Sequence, residues 1–460
     1  MPLLLRWALS GLLVAGFGLL SAAASCRFGY DYEVAEMPVI WLTAGLVLAG
    51  LLYCLALPRL LASSLAGKGV RPQPIVLCII AGGLVARLAL FASEPMLEDD
   101  YQRYLWDGAV TATGHNPYVQ APRDAGTGGL DELAQEAGQV FARINHADLK
   151  TIYPPVAQGA FALAYMVRPW SLTAWRSVLL LFDLASLALI LLLLREAGRS
   201  PLWSSLYWWN PLVIKELFNS AHMEAVVLPF VLAALWLAIR NRHVLAATSL
   251  AFAAGAKVWP GLLLPLLLRA QSLDPGRLLA SILVFGALAA FWVAPVWLGG
   301  LDQASGFVVY LSEWQTNSAL FPLLVSTIGL ALPPEAAGIA ARCLIALLLA
   351  VLAMAVSLKP VESPDDLIGR ASLVVAALIL LSPAQFPWYA VWFAPFLPFR
   401  PWFGFLLLTA TAPLYYLSFY FLSQNEIEIF DDLVVWIIWV PVWAALALEA
   451  RRATLSPQAA

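Results

Sequence analysis

Apolar runs of about 14 to 23 residues recur from one end of this chain to the other, and that recurrence limits the fold more than any other feature. A helix needs about 20 residues to cross the hydrocarbon core of a bilayer, and inside that core every backbone N–H and C=O must be paired within the protein. With 62% hydrophobic and only 12% charged residues, the chain has to bury these runs in lipid or in one another. Soluble domains carry about twice that share of charge. The sequence therefore predicts an all-α polytopic transmembrane helical bundle of about 12–14 spans, organised as a single integral membrane domain over 1–460.

Candidate spans lie near 4–25, 38–60, 74–92, 172–194, 202–218, 222–239, 244–257, 259–268, 278–298, 339–358, 370–384, 387–399, 402–422 and 431–449. Lys and Arg mark cytoplasmic loops. With the N-terminus inside, Arg59, Lys68, Arg71, Arg199, Arg240, Arg242, Arg370 and Arg400 share the cytoplasmic side, and the acidic loops 26–37, 93–155, 300–318 and 423–432 fall outside. Two apolar stretches, 156–168 and 319–332, would upset this pattern as spans and are expected to be re-entrant or interfacial. The first run ends in small residues, as a signal peptide would, but its length and the closely following second run favour an uncleaved span. The four cysteines are scattered, without the spacing of a metal site or a disulfide framework. A net charge of −3 and the lack of a basic stripe give no support to a nucleic-acid partner.

The largest polar insertion, 93–170, follows the third span as an external loop with juxtamembrane helices. It opens with LEDDYQRYLWDG (97–108), where Glu98, Asp99 and Asp100 emerge directly from an apolar run. In a helix, Asp99, Arg103 and Asp107 share one face, with Asp100 and Tyr104 beside them. One account is an N-capped surface helix with an ion-pair ladder. The other is a carboxylate cluster pinned at the bilayer surface for chemistry. Two more polar-aromatic elements follow: GHNPY (114–118), with Asn116 and Tyr118, and IYPPVAQ (152–158), with Tyr153 and Gln158.

This order of elements resembles the first external loop of the GT-C superfamily of membrane glycosyltransferases. The nearest likeness is to the group that contains GPI mannosyltransferase I and bacterial mannosyltransferases using polyprenyl-phosphate sugars. Later matches are NSAHMEA (219–225), AKVWP (256–260) and SPAQFPWY (382–389), so the likeness covers roughly 95–400. One departure is that adjacent Asp99 and Asp100 replace the D-x-D spacing, which leaves open which of them acts. The resemblance implies a GT-C-like bundle with a large first catalytic external loop. It also implies an inverting transfer of a sugar, mannose favoured, from a polyprenyl-phosphate donor to a glycan or lipid acceptor. The site would lie on the outer (periplasmic) face of a bacterial cytoplasmic membrane.

The residue chemistry is compatible with that expectation. Asp99 or Asp100 could take the acceptor's proton, and a carboxylate also stabilises an oxocarbenium-like centre. Lys257, His222, Arg123 and Arg103 are candidate partners for a phosphate leaving group. Asn219, His222 and Glu224 are candidates for sugar hydroxyls or phosphate, or simply satisfy a tight hairpin. Gln385, Trp388 and Tyr389 suit sugar stacking or an interfacial belt. Lys257 is a costly charge within an apolar stretch unless it snorkels to the interface. Lys215 and Glu216 are expected to pair, and Asp183 has no evident partner. No cofactor is assigned; carboxylates at 98–100 leave a divalent cation open. The rival function is a membrane transporter or lipid flippase, for which short segments around Lys257 would be broken helices.

Overall fold

The computed structural model describes residues 2–66, 71–270 and 274–455 of the protein; Lys68 lies outside them. Among the described residues eight helices are long and apolar enough to cross a membrane: α1 (Leu3–Arg27), α2 (Val39–Ala66), α3 (Pro72–Ala92), α6 (Leu172–Glu196), α9 (Pro275–Gly299), α10 (Pro334–Ala355), α12 (Phe403–Ser423) and α13 (Ile427–Arg452). Between them lie α4 (Asp100–Ala112), α5 (Pro155–Val167), α7 (Glu224–Ile239), α8 (His243–Ala256) and α11 (Pro364–Leu381). No strand is present among the described residues, only two isolated bridges. The molecule is an all-α polytopic membrane bundle.

Beside these eight stand four shorter apolar helices among the described residues, Pro155–Val167, Glu224–Ile239, His243–Ala256 and Trp259–Arg269, and two of the expected spans are broken. The segment 202–218 is not a helix but a chain of short pieces: Pro201–Ser204, Ser205–Trp208, Pro211–Ile214 and a π turn over Lys215–Asn219. Asn210 starts the third piece by accepting hydrogen bonds from the Leu212 and Val213 amides, and Pro211 removes the N–H that would continue the second. Similarly, 387–399 is broken into 3-10 turns, Pro387–Trp392 and Ala394–Phe396. Such irregular backbone is tolerated at membrane depth only inside protein, and every residue from 204 to 229 is buried. The stretch 156–168 is α5, seated against α4 and α6. The stretch 319–332 contains the short helix Leu320–Ile328 against α10. Neither is long enough to cross.

Helix contacts depend on small residues, which let backbones approach closely in lipid. α1 lies on α3: a Cβ at Gly18 would stand 2.4 Å from the Ala86 carbonyl, and one at Gly82 would stand 2.8 Å from the Gly11 Cα. α2 meets α12 at Gly50, where a Cβ would be 2.4 Å from the Ala410 Cα. Asp183 has its partner after all. Arg87 of α3 donates to it at 2.5 Å, and Tyr207 donates to its other oxygen at 2.5 Å. The Arg87 guanidinium also donates to the Trp208 carbonyl and lies 3.5 Å above the Trp208 ring. A buried charge persists only when paired and hydrogen-bonded, and this cluster ties α3, α6 and the broken segment together.

The charge pattern used to orient the chain recurs as contacts. Arg199 and Arg400 both bind Asp365 (2.9 and 2.8 Å), and Arg370 binds Asp366 at 2.7 Å, gathering three residues assigned to cytoplasmic loops. The loops assigned to the other side are joined as well. Lys150 binds Asp302 at 2.6 Å and the Gly299 carbonyl at 3.0 Å, while Thr316 pairs with the 384–385 backbone. Between these knitted loops lies the large cavity.

Candidate active site

The acids leave α3 on a braced turn. Asn219 receives the Met96 amide (3.1 Å) and donates to the Glu94 carbonyl (2.8 Å). Buried Arg176 donates to the carbonyls of Ser93 and Asn219 (both 2.9 Å). Leu97 then takes φ +63°, a left-handed conformation that costs a branched side chain energy and that collects at functional sites. Asp99 stands at the N-cap of α4 without making a side-chain cap bond. Capping is therefore not what this carboxylate does, and the surface-helix account fails at that point. Its other half, the Arg103–Asp107 pair at 2.9 Å, does form, but in the interior.

Asp99 and Asp100 are clamped by one amide. Asn145 Nδ2 donates to Asp99 Oδ1 and to Asp100 Oδ1, both at 2.8 Å. Asp100 also receives the Tyr104 hydroxyl at 3.3 Å. Burial, followed by the neighbouring Asp100 charge, pushes the Asp99 carboxyl up to about 6, with Asn145 opposing. Burial drives Glu98 well above the usual carboxylate range. Both shifts have the sign expected when a carboxylate is desolvated.

Behind the acids stands His222, wholly buried and stacked on Trp388 with centroids 3.9 Å apart. Its two ring nitrogens face different carboxylates, Nε2 to Glu98 and Nδ1 to Asp100, each at 3.7 Å, while the Tyr104 hydroxyl is 3.4 Å from Nδ1. Glu98 and Asp100 thus lie toward opposite edges of one imidazole. The three acids do not converge as cation ligands would, and no three His, Cys, Asp or Glu among the described residues do so. Further in, Lys215 and Glu216 pair as expected, with Tyr416 donating to Glu216 at 2.9 Å and Lys215 donating to Tyr416.

Lys257 closes the other side. Pro260 and the turn Trp259–Leu263 end α8 and leave Lys257 extended at its C-cap. Its ammonium binds Glu224 Oε1 at 2.6 Å and lies 4.6 Å from the Tyr389 ring centroid and 4.9 Å from that of Trp392. Tyr389 also shares a 2.9 Å hydrogen bond with Tyr310. Glu98 Oε1, His222 Nε2 and Glu224 Oε2 are buried without a hydrogen bond inside the protein, although such atoms are normally satisfied.

These groups line one cavity of about 670 Å³ whose walls are mostly apolar. Glu98, Asp99, Asp100, Tyr104, Tyr153, Glu224, Lys257, Trp388 and Tyr389 face it, and His222 lies directly beneath Trp388. The other residues singled out in the sequence do not line it. Arg123 is exposed elsewhere. Arg103 is committed to Asp107 and the Leu149 carbonyl (3.0 Å). Asn116 holds the Pro295 carbonyl, Tyr118 the Tyr153 carbonyl, and Gln158 joins Asp107, Thr151 and Tyr153. Gln385 bonds the Ile379 carbonyl, and Asn219 the turn before the acids. These side chains position Tyr153, the acids and the aromatic floor. Asn145, Tyr310 and Trp392 are in the site but were not anticipated: an Asn in a polar loop, or an aromatic in a protein with 19 Trp, stands out from nothing.

A family profile described as alpha-(1→6)-mannopyranosyltransferase, N-terminal domain, matches residues 36–271, just over half of the chain. The matched stretch holds the acids, Asn145, His222, Glu224 and Lys257. Comparison with curated proteins and with solved structures gives no significant match. The extent of the profile match, on an all-α membrane bundle, means that the chain belongs to the alpha-(1→6)-mannopyranosyltransferase family of membrane glycosyltransferases.

Proposed function

We propose that the protein transfers mannose from a polyprenyl-phosphate donor to a glycan or lipid hydroxyl at the outer (periplasmic) face of a bacterial cytoplasmic membrane. The supporting observation is the shared cavity: an acid pair on one wall, a lysine on another, and mostly apolar lining between and beyond them. An apolar wall suits a lipid-borne donor, whereas a soluble nucleotide sugar would call for a phosphate-binding loop, and the sequence offers none.

Asp99 is the proposed base. It gives one oxygen to Asn145, while Asp100 accepts from both Asn145 and Tyr104, and a carboxyl near 6 is closer to the optimum for proton abstraction at neutral pH. The acceptor hydroxyl loses its proton to Asp99 as its oxygen bonds to C1 of the mannose. The bond from C1 to the phosphate oxygen breaks, and the electron pair leaves with the polyprenyl phosphate. Lys257 faces the charge gathering on that phosphate, with Tyr389 and Trp392 holding the ammonium in place. Such preorganised stabilisation is worth about 10²–10³ in rate. A single displacement inverts C1, so an α product requires a β-linked donor. Family membership favours transfer over a transporter or flippase.

The test is donor choice. Purified protein in lipid nanodiscs receives radiolabelled β-linked polyprenyl-phosphate mannose or nucleotide-linked mannose, with mannose oligosaccharides as acceptor. Transfer from the lipid-linked donor is expected. Transfer from the nucleotide sugar alone would overturn the proposal.

A further inference from the structure

The loop between α1 and α2 supplies Phe28, Tyr30, Tyr32 and Val34 to the cavity. Residues up to 35 precede the family match, so this wall is not part of what the family profile describes. Tyr30 and Tyr32 keep 46% and 44% of their surface exposed. Tyr30 is nevertheless held in place: the Arg143 guanidinium lies 3.8 Å from its ring centroid, and Gln102 Nε2 donates to its hydroxyl at 3.3 Å. Both anchors lead to the acids. Arg143 stands two residues before Asn145, which clamps Asp99 and Asp100, and Gln102 lies on the first turn of α4. The loop itself is fixed by a capping box between Glu33 and Glu36.

The acids therefore have two distinct flanks. One faces Tyr310, Tyr389 and Lys257 across the cavity; the other holds Asn145, two residues along the chain from the Arg143 that covers Tyr30. A braced, half-exposed phenol has an apolar face and a polar tip. It suits a pyranose, whose C–H face stacks on the ring while its hydroxyls take the surrounding hydrogen-bonding groups. Binding sites of this kind combine aromatic walls with a few placed polar groups.

We propose that Tyr30 and Tyr32 form the acceptor subsite and that it takes a carbohydrate acceptor, a mannose glycan rather than a lipid hydroxyl. The inference rests on the transferase reading above for its place in the reaction, but sugar binding at this loop can be measured without any donor. The probe is α-(1→6)-linked mannotetraose, titrated by saturation-transfer NMR into the full-length protein in nanodiscs, together with Y30A/Y32A and the milder Y30F. Wild type is expected to bind. Y30A/Y32A should lose about tenfold in affinity and show a matching rise in acceptor KM, with donor KM retained, as expected for about 1.4 kcal/mol of stacking. Y30F keeps the ring and its Arg143 contact but loses the Gln102 bond, and should lose less affinity than Y30A/Y32A. If wild type transfers mannose but Y30A/Y32A leaves glycan affinity and acceptor KM unchanged, the tyrosines are an interfacial belt and the inference fails while the transferase reading survives. If glycan binds at the tyrosines but no lipid-linked donor is turned over, the transferase reading fails and the subsite stands.

Discussion

Asp99 carries the sharpest chemical prediction. Its carboxyl is pushed up to about 6 by burial and by Asp100. As pH falls through about 6 it takes up a proton and can no longer accept one, so turnover falls on the acid side. Because Asp100 contributes to raising that value, D100N should move the inflection to lower pH. A kcat/KM profile measured from about pH 5 to 8 checks this, and an inflection unmoved or shifted upward counts against it. Lys257→Met should lower transfer by about 10²–10³-fold, with Lys257→Arg retaining part of the rate; near-normal turnover by the Met variant would remove Lys257 from the reaction. At this scale the sequence was informative wherever charge stood in apolar surroundings, which is why Asp99, Asp100, His222, Glu224 and Lys257 could be singled out. For Arg103 it offered both an ion-pair ladder and a phosphate partner, and the guanidinium binds Asp107 and a carbonyl. It was silent on Asn145, whose importance comes from meeting two carboxylates from a separate turn.

Among the elements, the junction of α3, α6 and the broken segment 202–218 depends on Arg87 and Asp183. Removing one partner of a buried pair leaves an uncompensated charge, so Arg87→Met should cost about 3–5 kcal/mol, and replacing both with apolar residues should recover much of it. Thermal unfolding in detergent measures both; equal losses in the single and double variants would contradict this account. Replacing Gly18 with Leu should separate α1 from α3, because a Cβ there already meets the Ala86 backbone at 2.4 Å. The long helices were legible because lipid-facing helices must be continuous and apolar over their whole length. The segments 202–218 and 387–399 looked the same in composition but are protein-enclosed, where continuity is not required. Their prolines, Pro211, Pro387, Pro395 and Pro398, were the available signal.

For the whole molecule, the proposed function requires the acids and Lys257 at the outer leaflet and Arg199, Arg370 and Arg400 at the inner one. With the exposed Cys26 and Cys343 replaced, a membrane-impermeant maleimide should label Ser312→Cys in intact cells and Arg242→Cys only after permeabilisation, since both native residues are exposed. The reverse pattern would put the cavity in the cytoplasm. Charge asymmetry between loops is the basis of this expected orientation. What it could not supply was the convergence of loops 93–155, 300–318 and 382–389 on one cavity, which is set by pairings as distant as Lys150 with Asp302. The most direct measurement is mannose transfer from a β-linked polyprenyl-phosphate donor by wild type and by D99N, with glycan binding followed in parallel. The account predicts an α-linked product from wild type and a loss of about 10²–10⁴-fold in D99N with glycan affinity intact. Transfer by D99N at the wild-type rate would contradict it.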